Sequence, residues 1–215
     1  MPSGRENLFQ LSGPGVVSSQ EYFQRLSELI PRLPYPAIEQ IARALLQAFG
    51  EDRTVFVFGN GGSAAAASHM MADMNKGAAE SGARLKVMAL TDNVPVLTAW
   101  ANDRGYEHVF SEQLKNFVRQ RDVAFAISAS GNSANVLRAL EAARERGAVT
   151  VGLAGYRGGK MQALCDICAV VPCDDMQMIE DFHHAVLHSI FSVVRKRVSA
   201  VPHSALAAAA GRFKK

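Results

Sequence analysis

The chain has 215 residues, 48% of them apolar and 20% charged. That composition suits one domain with a sizeable core and excludes a disordered or low-complexity chain. A formal net charge of +3 is too small to argue for direct contact with nucleic acid, and Arg212, Lys214 and Lys215 in the tail contribute to it. No apolar run reaches the length of a membrane span. The start lacks the basic, apolar and small-residue order of a signal peptide. The expectation is therefore a cytoplasmic protein with no membrane partner. Cys165, Cys168 and Cys173 form an odd, closely spaced set. Such a set is a poor disulfide framework and points to a reducing compartment. Cys165 and Cys168 have the spacing of half a zinc or redox site, but no second pair completes it, so partly buried, inert thiols are expected.

Residues 1–17, which include Glu6-Asn7-Leu8-Phe9-Gln10, are set aside as a disordered or vector-derived start. Ser18 or Ser19 can cap a first helix with Tyr22, Leu26 and Leu29 on its apolar face. Pro31, Pro34 and Pro36 break it, and a second helix follows over 36–49, closed by Gly50. The period then changes. Thr54-Val55-Phe56-Val57-Phe58 reads as a buried strand, and an alanine-rich helix follows the glycines after it. A second strand is expected over 85–90, helical patterns over 94–101 and 109–118, and a third strand over 123–128. A helix then runs to Arg146 and ends at Gly147; a fourth strand covers 149–153. Gly158 and Gly159 open a short helix to Leu164, a fifth strand covers 167–171, and a last long helix covers 176–198. Residues 201–215 read as a flexible tail. Short buried strands alternating with helices imply a parallel sheet covered on both faces. With right-handed crossovers this becomes a three-layer αβα sandwich, a single domain over 18–200 with extra helices at its N-terminal side.

Two strand-to-helix loops carry similar chemistry. One is Gly59-Asn60-Gly61-Gly62-Ser63; the other runs from Ser128 through Ser130, Gly131 and Asn132 to Ser133. In a parallel sheet, ligands bind outside the carboxyl ends of the strands. Glycines there admit an anion close to backbone N–H groups, and helix N-termini supply donors and a favourable dipole. Serines add donors without bulk. The pattern reads as phosphate binding, without the lysine of a nucleotide P-loop or the spacing of a dinucleotide fingerprint. The plainer alternative is a pair of tight turns before capped helices. The helix after the first loop carries His69 and Asp73, four residues apart and so on one face. The last helix carries Glu180, His184 and His188 in a drifting row, with His183 beside it. Imidazoles and carboxylates in one cleft suit zinc or another divalent ion, and they suit proton transfer between adjacent carbons. Singly, each histidine is as easily a solvated or core residue. Asp92, Asn102 and Asp103 could orient sugar hydroxyls or simply cap helices. Trp100, Met70, Met71 and Met74 read as core or interface.

Taken together these residues resemble a known family. Phe58-Gly59-Asn60-Gly61-Gly62-Ser63-Ala64-Ala65 followed by His69 is similar to the signature of SIS (sugar isomerase) domains. Asn102-Asp103-Arg104-Gly105-Tyr106-Glu107, and Ser128-Ala129-Ser130-Gly131-Asn132-Ser133 with Asn135 and Val136, resemble the phosphoheptose isomerase branch. Gly158-Gly159-Lys160-Met161 and the segment from Glu180 to His188 also fit. The resemblance implies a flavodoxin-like sheet and a homotetramer with active sites at subunit interfaces. It implies conversion of sedoheptulose 7-phosphate to D-glycero-D-manno-heptose 7-phosphate, which would feed heptose assembly for lipopolysaccharide or another glycan. It further implies that Ser63, Ser128, Ser130 and Ser133 hold the phosphate, with Asn60, Gly61 and Gly62 beside them. His69, Asp73, Glu180 and His188 match the family's metal ligands, with Glu180 also near substrate, and Asp73 and His188 would carry the proton transfers. Helix geometry alone permits His184 in place of His188. Two positions depart from the family: it usually has Glu at Asp73 and often Gln at Glu180. Other isomerases of this type, a sugar-phosphate sensor domain, and a relative that binds the replication initiator DnaA are the alternative functions.

Overall fold

Five short runs rich in Val, Phe, Ile and Ala form the sheet, and the three inner ones are buried on both sides. In the computed structural model, which describes residues 18–79 and 84–200, these are β1 (Thr54–Gly59), β2 (Lys86–Ala89), β3 (Val123–Ser128), β4 (Val149–Ala154) and β5 (Ile167–Val170). All pairings are parallel, in the order β2-β1-β3-β4-β5. Every residue of β3, the central strand, is buried, whereas edge strand β2 alternates exposed and buried. A strand flanked by helices on both faces has no solvent side to alternate towards.

Eight helices accompany these strands among the described residues: α1 (Ser19–Leu29), α2 (Tyr35–Gly50), α3 (Gly62–Ala72), α4 (Val94–Arg104), α5 (Ser111–Phe117), α6 (Ala134–Glu145), α7 (Met161–Leu164) and α8 (Met176–Ser199). The chain divides into two compact units, Met1–Leu33 and Pro34–Lys215. In the first, the Ser18 hydroxyl accepts from the Glu21 N–H at 3.1 Å and so caps α1. The second holds the whole sheet. There α2 presents Ile38, Ile41, Ala42, Leu45 and Ala48 as one buried stripe; it packs against the sheet and α8, and α8 in turn packs against α3. On the other face α5, α6 and α7 close over Phe56, Phe58, Ala124 and Ala126, with Phe110, Leu114, Val136 and Leu140 in the same cluster. Burying each large apolar side chain contributes roughly 1.5–3 kcal/mol, so this double-sided core is what holds the strand ends in place.

The three-layer αβα sandwich is the expected one, and the element bounds differ from expectation in places with physical causes. Gly50 does not close α2: it is the last helical residue, and the turn comes two residues later at Asp52, with φ of 56°. The Asp52 and Arg53 N–H groups donate back to the Phe49 and Ala48 carbonyls, a Schellman end with aspartate in the left-handed position. Gly147, with φ of 71°, ends α6 as expected. Gly158 and Gly159 precede α7 as a turn rather than opening it. The expected N-terminal start and the expected tail lie outside the described residues. Cys165, Cys168 and Cys173 are free, half-buried thiols. The neighbouring Cys168 thiol, and after it burial, push the Cys165 thiol up, so it has little thiolate character.

Candidate active site

With the order β2-β1-β3-β4-β5, connections leave β1 and β3 in opposite directions along the sheet, and a crevice opens above their carboxyl ends. Register places Gly59 beside Ile127 and Ser128 beside Ala154. The two serine loops therefore emerge side by side at that crevice. Asn60, Gly61, Gly62 and Ser63 turn the chain from β1 into α3. Ser63 is buried. Ser128, also buried, accepts the Gly131 N–H on its hydroxyl at 3.2 Å, and the Ser130 hydroxyl accepts the Asn132 N–H at 3.2 Å. Ser133 occupies the N-cap position of α6 without a side-chain cap bond.

The second loop is held from beneath by backbone. Met161 donates its N–H to the Gly131 carbonyl at 2.9 Å, and the Lys160 N–H donates to the Asn132 side chain at 3.0 Å. Gly131 has φ of 62° and lies so close to the Gly158–Gly159 backbone that a Cβ on it would stand 2.0 Å from the Gly158 carbonyl oxygen. The glycines after β4 thus exist to let the loop after β3 sit down on them.

A second cluster lies along α3 and α8. His69 Nε2 and His188 Nε2 are 2.9 Å apart, and Asp73 Oδ2 is 3.4 Å from the first and 3.7 Å from the second. The three donor atoms all lie within 4.8 Å of one another, the one such group among the described residues. Asp73 opens a single π-helical turn, Asp73–Gly77, that follows α3; such bulges re-aim side chains at functional sites. Two facing imidazole nitrogens repel unless a proton or a cation sits between them. Two zinc–nitrogen bonds of ~2.0–2.1 Å at a tetrahedral angle would set nitrogens ~3.3 Å apart. The imidazole nitrogens are a few tenths of an ångström closer than that and the Asp73 oxygen stands 3.4 and 3.7 Å from them, so a small shift of one ring lets the donor set fit a small divalent ion.

Of the remaining candidates, Glu180 stands apart from this trio. Its carboxylate lies against Gly62, where a Cβ would meet Glu180 Oε2 at 2.4 Å, and so it covers the start of α3. His184 Nδ1 lies 3.1 Å from the Glu180 carbonyl oxygen, and its ring stands 6.2 Å from that of His69; His188, one turn on, joins the cluster. Asp92 follows β2, where the Ser68 and Thr91 hydroxyls donate to its carboxylate. Asn102 and Asp103, at the exposed end of α4, hydrogen-bond each other at 2.9 Å. His183 is turned the other way: it is 1% exposed, and burial lowers its pKa to about 4 despite the neighbouring Ala154 backbone. Met70 and Met74 are core, and Trp100 packs against it.

Two residues absent from the sequence-level candidates reach the crevice. Asn135 and Tyr106 both hydrogen-bond the Asn60 side chain. Both belong to motifs noted above, yet nothing in the spacing says that they meet.

Comparison with known proteins agrees with this geometry. A family model described as SIS domain matches residues 21–155. The phosphoheptose isomerase of Rhodospirillum rubrum is 44% identical over 159 residues, covering 74% of this chain and 85% of its own. That of Pelobacter propionicus is 39% identical over 175 residues, covering 81% and 93%. The solved phosphoheptose isomerase of Neisseria gonorrhoeae superposes with a TM-score of 0.77 at 34% identity, covering 82% of this chain and 96% of that one. Two serine loops side by side at the strand ends, a cluster of imidazoles and a carboxylate along α3 and α8, and a sheet and sequence shared over most of the chain with these proteins have one accounting: this chain belongs to the SIS domain family, in its phosphoheptose isomerase branch.

Proposed function

We propose that the protein is an aldose–ketose isomerase that converts sedoheptulose 7-phosphate to D-glycero-D-manno-heptose 7-phosphate through an enediol. The observation that carries this reading is the meeting of His69, Asp73 and His188 on the same helix pair as the first serine loop, in a chain whose relatives are named phosphoheptose isomerases. Seven residues separate Gly62 from His69, which is ~10 Å along a helix. That matches the reach of a seven-carbon sugar phosphate with its phosphate at the loops and its C1–C2 end at the imidazoles.

In this mechanism Ser63, Ser128, Ser130 and Ser133, with the backbone of Gly61 and Gly62, hold the phosphate at two helix N-termini. Asn60 stands beside the phosphate, and Asp92, Asn102 and Asp103 orient the sugar hydroxyls. His69, Asp73 and His188 would hold a divalent ion, zinc by donor type, which would supply Lewis-acid polarisation of the sugar oxygens; Glu180, the expected fourth ligand, stands apart from them against Gly62 and would need to swing to join the set. Asp73 takes the proton from C1 and returns it to C2, while His188 protonates the C2 oxygen to give the enediol and takes the C1 hydroxyl proton as the aldose forms. Holding the reacting carbons against both groups is worth more than either group's basicity alone.

The same reading includes a homotetramer, a single catalytic domain over 18–200 and a place in heptose supply for a surface glycan. It also includes a cytoplasmic location, for which the support is that no described helix is long and apolar enough to cross a membrane. The test is incubation of metal-loaded protein with sedoheptulose 7-phosphate, followed by NMR, beside an EDTA-treated control. Metal-dependent appearance of the aldoheptose 7-phosphate is the expected result. Retained phosphate binding with no isomerisation in either sample would sink the proposed reaction.

A further inference from the structure

The two serine loops are joined above the sheet by a pair of carboxamides. Asn60 Nδ2 donates to Asn135 Oδ1 at 2.9 Å, and Asn135 Nδ2 donates back to Asn60 Oδ1 at 2.8 Å. The residues are 75 positions apart in the chain; one follows β1 and the other lies in the first turn of α6, which follows β3. Which atom of each amide is oxygen follows from a neighbour that cannot flip. The Val136 backbone N–H donates to Asn135 Oδ1 at 2.9 Å, so that atom must accept, and the facing atom of Asn60 must donate. Tyr106 Oη then donates to Asn60 Oδ1 at 3.0 Å. Each oxygen thus receives two donors, its full capacity. Asn135 is 3% exposed. No other hydrogen bond joins the two loops among the described residues.

We propose that Asn135 is a positioning residue that clasps Asn60 and so sets the width of the anion cradle between the two loops, with Tyr106 locking Asn60 from the outside. The proposal rests on the reading of those loops as the phosphate site. Parallel strands β1 and β3 fix the loop bases at Gly59 and Ile127, but the loops leave the sheet there, and backbone pairing no longer holds them. The clasp takes over at that point. It also aims Asn60: with its oxygen saturated and one N–H given to Asn135, the side chain keeps a single hydrogen for a ligand. It presents a donor and no acceptor, which suits an anion and disfavours a hydroxyl seeking an acceptor. A clasp of this kind controls how well the phosphate is gripped rather than the proton transfers a helix-length away. Its loss therefore appears in KM and in phosphate affinity, and leaves kcat nearly unchanged.

The test uses the metal-loaded protein and two variants, Asn135→Leu and Tyr106→Phe. Inorganic phosphate binding is followed by phosphorus NMR, and KM and kcat are measured with the heptose phosphate. Losing two mutual hydrogen bonds in Asn135→Leu should weaken phosphate binding and raise KM roughly tenfold, with kcat within about threefold of wild type. Tyr106→Phe loses one bond at an exposed site and should shift both in the same direction by roughly threefold, with an unchanged melting temperature. A merely structural Asn135 would lower the melting temperature and leave phosphate affinity and KM alone; that result overturns the proposal. Should Asn135→Leu fail to fold, wild-type phosphate affinity in Tyr106→Phe overturns it alone. Wild-type protein that binds phosphate but turns over no heptose phosphate defeats the proposed reaction and leaves the clasp to be judged on phosphate affinity. Wild-type protein that binds no phosphate defeats both.

Discussion

Gly131→Ala probes the seat of the second phosphate loop. The new methyl would stand 2.0 Å from the Gly158 carbonyl oxygen and 2.7 Å from its carbon, where ordinary contact starts at 3.4 Å. Backbone, not a flexible side-chain end, must therefore give way, by more than an ångström. Left-handed φ at an L-residue adds ~1–2 kcal/mol, and forced overpacking adds ~1–3 kcal/mol, so a loss of about 2–5 kcal/mol is expected from the two together. For a chain of this size each kcal/mol lowers Tm by ~2–4 °C, which predicts a fall of roughly 4–20 °C by calorimetry. A displacement of that size at the Ser128–Ser133 loop should also lower kcat/KM on the order of a hundredfold. If Gly131→Ala melts within a degree of wild type and keeps its kcat/KM, the loop is not seated on Gly158 and the account of the second loop is wrong.

Gly50→Ala should act in the opposite direction. The position is helical, has ordinary φ and has nothing within 4 Å of a new Cβ, so removing backbone freedom should stabilise by about 0.5–1 kcal/mol in urea unfolding; destabilisation would restore Gly50 as the helix terminator. His183 should make stability pH-dependent. Its folded pKa of about 4 lies below the ordinary 6.5, so the unfolded chain binds the proton first. Stability is intact above pH 6.5 and is lost as pH falls towards 4, with a slope approaching ~1.4 kcal/mol per pH unit. His183→Leu should flatten that slope relative to wild type in urea melts across this window, and an unchanged slope refutes the assignment. Zinc at a hundredfold excess over its Kd should raise wild-type stability by ~2.7 kcal/mol, and His69→Ala should abolish the rise; a variant that still melts higher with zinc would place the ion elsewhere. His188→Gln should keep the fold and phosphate binding while losing nearly all turnover, and near-full activity would remove His188 from the proton transfers.

Much of this protein was legible in one dimension because local physics writes itself into local sequence. Runs such as Val55 to Phe58 and Val123 to Ile127 can only be strands buried on both faces, and the glycine and serine loops that follow mark ligand-facing ends. The α2 stripe from Ile38 to Ala48 declares its inner side by period alone. The π turn at Asp73 and the left-handed aspartate ending α2 were not legible, and helical spacing alone did not choose His188 over His184; the family resemblance did. Several residues satisfy the same helical spacing, and packing against a neighbouring helix selects among them. Glu180 shares the helical row of His184 and His188, yet its carboxylate covers Gly62 while the imidazole of His188 meets His69 and Asp73. The Asn60–Asn135 clasp and the seating of Gly131 on Gly158 join segments that are distant in the chain. They exist because the sheet order sets β1 beside β3 and β3 beside β4. Residue types and local spacing determined which chemistry was available; which groups meet was decided by strand order and close packing, since contact across strands depends on register, which no single segment encodes.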